Sequence, residues 1–557
     1  MNWYLQFIDI LILGFVLVMV RHTFLRGRFF LHIFQQNGYK FNEFWHWIIG
    51  NWNRFILTPE HVLFNVVVFM LLFFMSNTIT GSAAIIILSF FGFFWFGPFN
   101  YYRGEKSKKP LVFTPRMIRL TIPYTLLALL IPVGVTYIAY SGRIPFTRLM
   151  LQTDSLYAAD MYILSFGWVL GSAVLPFFIF FAGLLTMPLE AYVHRHFITL
   201  AKKKLSRMPH LTVIGITGSY GKTSTKFMIR DLLSERYSVC STPASYNTPM
   251  GICKVINNDL QAHHQVLILE MGARYEGNIE ELCDIAEPDI AVVTNIGIAH
   301  LETFGSKYAI AQTKSSIVKR TKPGGKAVLN ADDERVSNMA DLRSDIEIIM
   351  AGIDKGDIRA KDITYGREGM KFNVTADKES ELFEMKILGK HNIQNMLLAV
   401  GVAHSLGIRL TTMALAAGRM TPVAHRLELK KQGSITVIDD AFNSNPVGAQ
   451  NAVETLAQFK TGRRVIITPG MIELGELQEE KNREFGQQIG EANLDLVILV
   501  GQNQTKAIKE GIKQTNFDME KVKTVRSLYD ANRIMHNYAE NGDVVLYEND
   551  LPDSFNE

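Results

Sequence analysis

Between Thr217 and Ser224 the chain reads Thr-Gly-Ser-Tyr-Gly-Lys-Thr-Ser. Small residues that run into Gly221-Lys222-Thr223-Ser224 at the head of a helical pattern make a site for anions. Backbone N–H groups of Gly218, Ser219 and Gly221 converge on phosphate oxygens, the lysine reaches the outer phosphates, and the threonine hydroxyl meets Mg²⁺. Strict spacing would put a glycine at position 216, where this chain has Ile216, so Gly218 makes the loop a variant. A nucleoside triphosphate is the ligand implied. Two further residues could share the cation. Glu270 closes the apolar run Val266–Glu270, where a carboxylate can hold the Mg²⁺ that bridges the β and γ phosphates. His300 follows the apolar run Ile290–Thr294 in Thr-Asn-Ile-Gly-Ile-Ala-His, and Asn295 stands in the same loop.

The elements that must hold these residues are legible as alternating strand and helix patterns. Leu211–Ile216 reads as a buried strand feeding the loop, and Val266–Glu270, Ile290–Thr294 and Lys326–Leu329 follow with helical patterns between them. That rhythm predicts a doubly wound parallel sheet. A second series (Ile435–Asp439, Arg464–Pro469, Asp495–Gly501, Val522–Arg526, Asp543–Tyr547) predicts a second, Rossmann-like α/β domain. From Asp332 to about Met385 no clear period emerges, and a small β-rich excursion is expected. With 557 residues the chain is long enough for several domains. The net charge of +4 makes no demand for nucleic acid, and Cys240, Cys253 and Cys283 show neither metal-ligand spacing nor a paired framework.

Up to about residue 190 the composition changes: Phe, Leu, Ile and Trp dominate. About five stretches have the length and apolarity of membrane spans, near Trp3–Val20, His61–Asn77, Ser82–Phe96, Leu120–Tyr140 and Met161–Leu189. Lysine and arginine collect in alternate connections, including Arg21, Arg26 and Arg28, then Lys106, Lys108 and Lys109, then Lys202, Lys203 and Lys204. The positive-inside bias puts the N-terminus outside and the phosphate loop in the cytoplasm, at the inner membrane. The expected division is a transmembrane helical domain at 1–190, a basic linker at 191–210, a P-loop ATPase domain at 211–420 and the Rossmann-like domain at 421–557. Phe41–Phe55, with tryptophans among polar residues, has the pattern of an interfacial segment.

A longer set of motifs occurs in one order: Thr-Gly-Ser-Tyr-Gly-Lys-Thr-Ser, Ser-Tyr-Asn-Thr-Pro-Met-Gly (245–251), Leu-Glu-Met-Gly-Ala (269–273), Ala-His-Leu-Glu (299–302), Lys314 in its helix, Leu-Asn-Ala-Asp-Asp-Glu (329–334), Gly-Lys-His-Asn-Ile-Gln-Asn (389–395), His-Arg-Leu-Glu (425–428) and Asp-Asp-Ala-Phe-Asn-Ser-Asn-Pro (439–446). In this it resembles the Mur ligases over about Leu211 to Leu546. The resemblance implies ATP-dependent amide ligation through an acyl phosphate in peptidoglycan precursor synthesis. ATP, a cell-wall precursor carboxylate (UDP- or lipid-linked) and an amino-acid or dipeptide amine would be the partners, with two Mg²⁺ ions and the bilayer beside them. It also implies roles. Thr217 and Ser224 would complete the phosphate loop. Thr223, Glu270 and His300 would hold metal, and so would Lys314 once carbamylated by CO₂ or bicarbonate. Asn330 and Asp332 would lie near the nucleotide, Asn392 and Asn395 on its adenine side. Arg426 would reach the γ-phosphate, while Asp440, Asn443 and Asn445 would line the joint between domains.

The chain departs from the family in two places. The apolar third stands where the uridine-nucleotide domain is expected, and Glu548-Asn549-Asp550 stands where a Lys-Gly-Ser-type segment is expected. Both changes fall on substrate-choosing parts. A γ-linked amino-acid polymer synthetase is therefore a second enzyme reading, and an ATP-driven transporter a reading of another class, disfavoured because no ABC-type signature is present.

Overall fold

The computed structural model describes residues 2–56, 111–141, 156–243, 246–298, 300–366, 369–387, 389–421, 427–441, 445–459, 462–472 and 474–549. It divides into two compact units, Met1–Val193 and His194–Glu557.

The described part of the first unit is helical: α1 (Asn2–Gln36), α2 (Phe41–Gly50), α3 (Pro115–Ser141) and α4 (Leu156–Ser206), whose residues from His194 on count with the second unit. Phe30, Phe34, Phe44, Ile48, Met117, Leu120, Leu175 and Ile179 form its core. Close approach explains two glycines. A Cβ on Gly27 would lie 2.9 Å from the Tyr124 hydroxyl, and one on Gly171 would collide with Ile131. Two of these helices are long and apolar enough to cross a membrane, over Pro115–Ile138 and Ala173–Ser206. The first expected span falls within α1, the fourth within α3 and the fifth within α4; His61–Asn77 and Ser82–Phe96 lie outside the described residues. The segment read as a linker does not break the chain's helix: α4 runs on to Ser206 through Pro176 and Pro188.

In the second unit a nine-stranded sheet has the order β2-β3-β1-β4-β5-β6-β7-β8-β9. Its strands are β1 (Thr212–Thr217), β2 (Val239–Ser241), β3 (Val266–Glu270), β4 (Ile290–Val293), β5 (Lys326–Asn330), β6 (Glu347–Gly352), β7 (Ile358–Gly366), β8 (Gly369–Ala376) and β9 (Glu379–Met385). The strands up to β7 are parallel; β7, β8 and β9 are antiparallel. The β-rich excursion expected after Asp332 is thus an extension of the main sheet. Short apolar strands are buried on both faces because side chains alternate. Val266 and Ile268 face one cluster with α5 (Lys222–Leu233), α8 (Lys390–Ser405) and α9 (Leu410–Arg419). Leu267 and Leu269 face another with α6 (Asn278–Ile285) and α7 (Lys307–Lys319). From β3 the chain crosses over β1 to reach β4, which puts the ligand crevice at the C-terminal ends of these central strands.

A six-stranded sheet follows, in the order β10-β11-β15-β12-β13-β14. These are β10 (Glu428–Gln432), β11 (Ile435–Asp440), β12 (Arg464–Thr468), β13 (Leu496–Val500), β14 (Val522–Val525) and β15 (Val544–Glu548), parallel except for the β10–β11 pair. The helices α10 (Pro446–Ala457), α11 (Gln478–Glu491), α12 (Lys506–Lys513) and α13 (Leu528–Tyr538) cover it. Edge strand β10 is the one element of this sheet that the alternating pattern does not announce: it carries Glu428, Lys430 and Lys431 where a core strand would be apolar.

Candidate active site

The loop from β1 to α5 owes its shape to two glycines. Gly218 has φ +148° and Gly221 φ +78°, conformations that side chains resist. A Cβ at Gly218 would strike Thr294, and one at Gly221 would strike Asn395. Lys222 folds over the loop, its ammonium donating to the carbonyls of Gly218 (2.7 Å) and Ser219 (3.2 Å).

Beneath the loop lies Glu270, at the end of β3 and 1 % exposed. Its Oε2 accepts from the Thr223 hydroxyl (3.0 Å) and from the Lys226 ammonium (3.0 Å), and its Oε1 from Asn247 Nδ2 (3.3 Å). Lys226 is fully buried, so a charge lost from either partner would strand the other in a medium that cannot solvate it. Sequence reasoning passed over Lys226 and Asn247. The signal for Lys226 was there: it follows Lys222 by one helical turn, on the face of α5 that also carries Ile229 and Leu233.

Lys314 comes from α7, which Ser306 caps through its hydroxyl to the Ala309 amide (3.1 Å). Its amine donates to the Gly218 carbonyl at 3.0 Å. Burial, with the Lys222 ammonium alongside, holds this amine well below the usual lysine range.

Thr217, Gly218, Lys222, Thr223, Glu270 and Lys314 therefore converge at the ends of β1 and β3. Among the described residues no three His, Cys, Asp or Glu side chains gather as a metal cage. One carboxylate and one hydroxyl beside a phosphate loop suit Mg²⁺, which keeps water and phosphate oxygens in its shell. His300 sits in the left-handed region (φ +58°) at the head of the short helix Leu301–Phe304, on the loop after β4.

The other expected residues have structural partners. Asn295 clasps the phosphate loop, its Oδ1 accepting from the Tyr220 amide (2.9 Å). Asn330 Nδ2 donates to the Thr294 carbonyl (2.7 Å). The Asp332 carboxylate accepts from the amides of Ile353, Asp354 and Lys355, which turns it toward that loop. Asn395 packs on Gly221, at the phosphate loop itself, and donates to Asn392 (3.3 Å). Asp440 accepts from the Leu427 amide (3.1 Å). Asn445 caps α10, accepting from the Gly448 amide (2.9 Å). Arg426 and Asn443 lie outside the described residues. The three cysteines are free and buried. Burial pushes the thiols of Cys240 and Cys253 up to about 11 and that of Cys283 up to about 12.

Residues 216–403 match the Mur ligase middle domain, and residues 425–547 match the Mur ligase glutamate ligase domain. The chain belongs to the Mur ligase family. The UDP-N-acetylmuramoyl-tripeptide--D-alanyl-D-alanine ligase of Mycobacterium tuberculosis is 35% identical over 301 residues, 52% of this chain and 58% of that protein. Its namesake in Bacillus subtilis is 29% identical over 338 residues, 60% of this chain and 72% of that protein. The chain thus spans somewhat over half the length of the mycobacterial relative. Among solved Mur ligases, MurF of Acinetobacter baumannii superposes with a TM-score of 0.59 at 26% identity, over 64% of this chain and 77% of that one. MurF of Thermotoga maritima in complex with ADP superposes with a TM-score of 0.58 at 28% identity, over 64% and 80%. The matched residues begin after the helical first unit in both domain comparisons, so the Mur ligase part of this chain is the second unit.

Proposed function

We propose that this chain is an ATP-driven amide ligase of the D-alanyl-D-alanine-adding type. The observation that carries the reading is the convergence of Lys222, Thr223, Glu270 and Lys314 on the glycine loop. Relatives named for D-alanyl-D-alanine addition, and a fold neighbour crystallised with ADP, support it. A carboxylate of the muramoyl peptide attacks the γ-phosphorus of ATP, the bond to the β-γ bridging oxygen breaks, and an acyl phosphate and ADP result. The incoming amine then attacks the acyl carbon, phosphate leaves, and the amine's proton passes to solvent. Here the loop amides and Lys222 hold the phosphates and offset the charge that builds on the transferring group. Thr223 and Glu270 would hold Mg²⁺, which supplies charge neutralisation between the β and γ phosphates. Lys314, whose amine burial holds below the usual lysine range, can add to CO₂ with loss of a proton, and the carbamate so formed would give a second cation an anionic oxygen.

We place the ligase at a membrane. Two helices of spanning length support this, as do the exposed apolar side chains along them, among them Leu126, Leu130, Val133, Leu184 and Leu185. The cytoplasmic side follows from the basic residues at the C-terminal end of α4, Lys202, Lys203 and Lys204. A lipid-linked acceptor presented at the bilayer is the corresponding substrate reading.

The test is isotopic. With acceptor carboxyl groups labelled by ¹⁸O and D-alanyl-D-alanine as amine, released phosphate carries the label. Unlabelled phosphate, or ADP release indifferent to both acceptor and amine, would overturn the ligase. Sedimentation of the full chain with membranes after alkaline extraction tests the anchoring separately.

A further inference from the structure

The phosphate loop contains one aromatic side chain, Tyr220, which a phosphate-binding role does not demand. It joins two elements. Its amide donates to Asn295 Oδ1 (2.9 Å), and its carbonyl accepts from the Thr294 hydroxyl (2.5 Å) and Asn295 Nδ2 (3.2 Å). Its phenol oxygen accepts from the Ile298 amide (3.1 Å). Its ring lies on Gly297, where an added Cβ would come within 2.8 Å of Cζ and 2.9 Å of the hydroxyl. Next to it, the Ser219 hydroxyl accepts from the Gly297 amide (2.9 Å). The whole stretch from Thr294 to Ile298 is thereby fastened to the phosphate loop.

What this stretch carries gives the fastening its significance. Ile298 is buried in the apolar cluster of the six-stranded sheet, with Leu427, Met471 and Leu474. Leu301, just beyond, packs against that cluster and also against the core of the nine-stranded sheet. His300 lies between them. From the opposite side Asp333, which caps the helix Glu334–Ser337, accepts from the Ile296 amide (2.7 Å). A displacement of the 294–301 loop would therefore move His300 and the C-terminal domain's contact together.

We infer that Tyr220 is a positioning residue: by its phenol on the Ile298 amide and its ring on Gly297, it sets the 294–301 loop, and with it the C-terminal domain, relative to the bound phosphates. The inference rests on the ligase reading for its kinetic consequence, but not for its structural one. Tyr220 should make no demand on nucleotide affinity, since its amide, like that of Ser219, is already donated to Asn295 and the groups proposed to reach the phosphates are Lys222 and the amides at the head of α5. Its loss should spare binding and slow turnover.

The experiment uses the full chain in detergent with Tyr220→Phe, Gly297→Ala, Tyr220→Ser and the double variant Tyr220→Ser/Gly297→Ala. In Tyr220→Phe the Ile298 amide should exchange with solvent roughly three- to tenfold faster, as loss of one modest hydrogen bond allows. Turnover should fall by a similar factor while KM for ATP stays within about twofold. Gly297→Ala, which drives a methyl into the ring, should cost more than about tenfold in turnover. Removing the ring in the double variant should restore part of that loss relative to Tyr220→Ser alone. An unchanged Ile298 exchange rate would overturn the proposal, as would a rise in KM with kcat intact, or strictly additive losses in the double variant. Should no ligase turnover be found at all, the Ile298 exchange rate and ADP affinity still decide the point. Faster exchange at unaltered affinity upholds the positioning role even as the ligase reading falls.

Discussion

The two sheets of the second unit each end a central parallel strand on a buried glutamate that accepts a threonine hydroxyl, yet they differ in what surrounds it. Glu270 closes β3 with Thr223 at 3.0 Å, and Glu548 closes β15 with Thr468 at 2.5 Å. Above Glu270 a glycine loop opens a helix, and a fully buried lysine balances the carboxylate. Beside Glu548 the chain ties to itself: Asn549 Nδ2 donates to the Gly470 carbonyl (2.6 Å), and the Asn549 amide to that of Asp440 (3.2 Å). A strand-end carboxylate is therefore no mark of a reaction centre. The helix N-terminus and the cation next to it make Glu270 a place where outside charge can be received.

The sharpest way to break this comparison is at the loop. Lys222→Ala removes the ammonium proposed to reach the outer phosphates, and turnover should drop at least about 1,000-fold. Glu270→Gln keeps the shape but takes away the charge, and a loss on the order of 100-fold or more is expected. Both are read by ADP release with acceptor and amine present. Wild-type turnover in either variant would remove the reaction from this end of the sheet.

Next in size is the buried pair. Lys226→Met leaves Glu270 with only neutral donors, Thr223 and Asn247, in a site closed to solvent. Breaking such a pair from one side costs about 3 kcal/mol or more, which corresponds to a fall of roughly 6 °C in the domain's unfolding midpoint. Differential scanning fluorimetry of the full chain checks it. An unchanged midpoint would mean that Lys226 contributes nothing to holding the carboxylate.

Much of this end of the molecule is legible in the sequence, because the pattern there is local. The strand, the glycines, Lys222 and Thr223 lie within a dozen residues, and Glu270 ends a run of apolar side chains. What stayed hidden depends on contacts between distant segments. Asn395, expected on the adenine side of a nucleotide, packs on Gly221, and Asp332, expected near the nucleotide, braces residues 353–355. Asn445 follows the opposite course: its Asn-Pro sequence is that of an ordinary helix start, and α10 begins there. Tyr220 could not be read at all, since its partners lie some 75 residues or more along the chain. The extension from β6 to β9 was expected as a separate piece because its strands are irregular in period, and only pairing to β5 reveals it as one sheet.

Lys314 sharpens the comparison through pH. Its folded-state amine titrates well below the usual range because it is buried beside Lys222, whereas in the unfolded chain it binds a proton up to about pH 10.4. Between those two values the unfolded state holds more protons, so stability rises with pH there, by at most about 1.4 kcal/mol per unit. Lys314→Met removes this dependence. In bicarbonate-free buffer it should be the more stable protein near neutrality, with the gap closing as pH approaches 10. A gap that is constant with pH would show that the amine is charged in the folded state. Turnover of Lys314→Ala should be lost and return in part when short carboxylic acids are supplied, since they can stand where the carbamate oxygens would.

The smallest effect expected is at the other glutamate. Glu548→Gln can still accept the Thr468 hydroxyl through its amide oxygen, and the Asn549 bonds to Gly470 and Asp440 do not pass through this side chain. A net change near 1 kcal/mol in stability follows from exchanging a charged acceptor for a neutral one, and turnover should stay within about tenfold of the wild type. The measurement that matters is the pair of kinetic constants for the amine. Glu548 stands where the family is expected to carry a Lys-Gly-Ser-type segment. A rise in KM for the amine of more than tenfold, with KM for ATP unmoved, would turn Glu548 from a residue that closes a strand into one that chooses a substrate. The two strand-end carboxylates would then be equivalent in purpose, one for each half of the reaction.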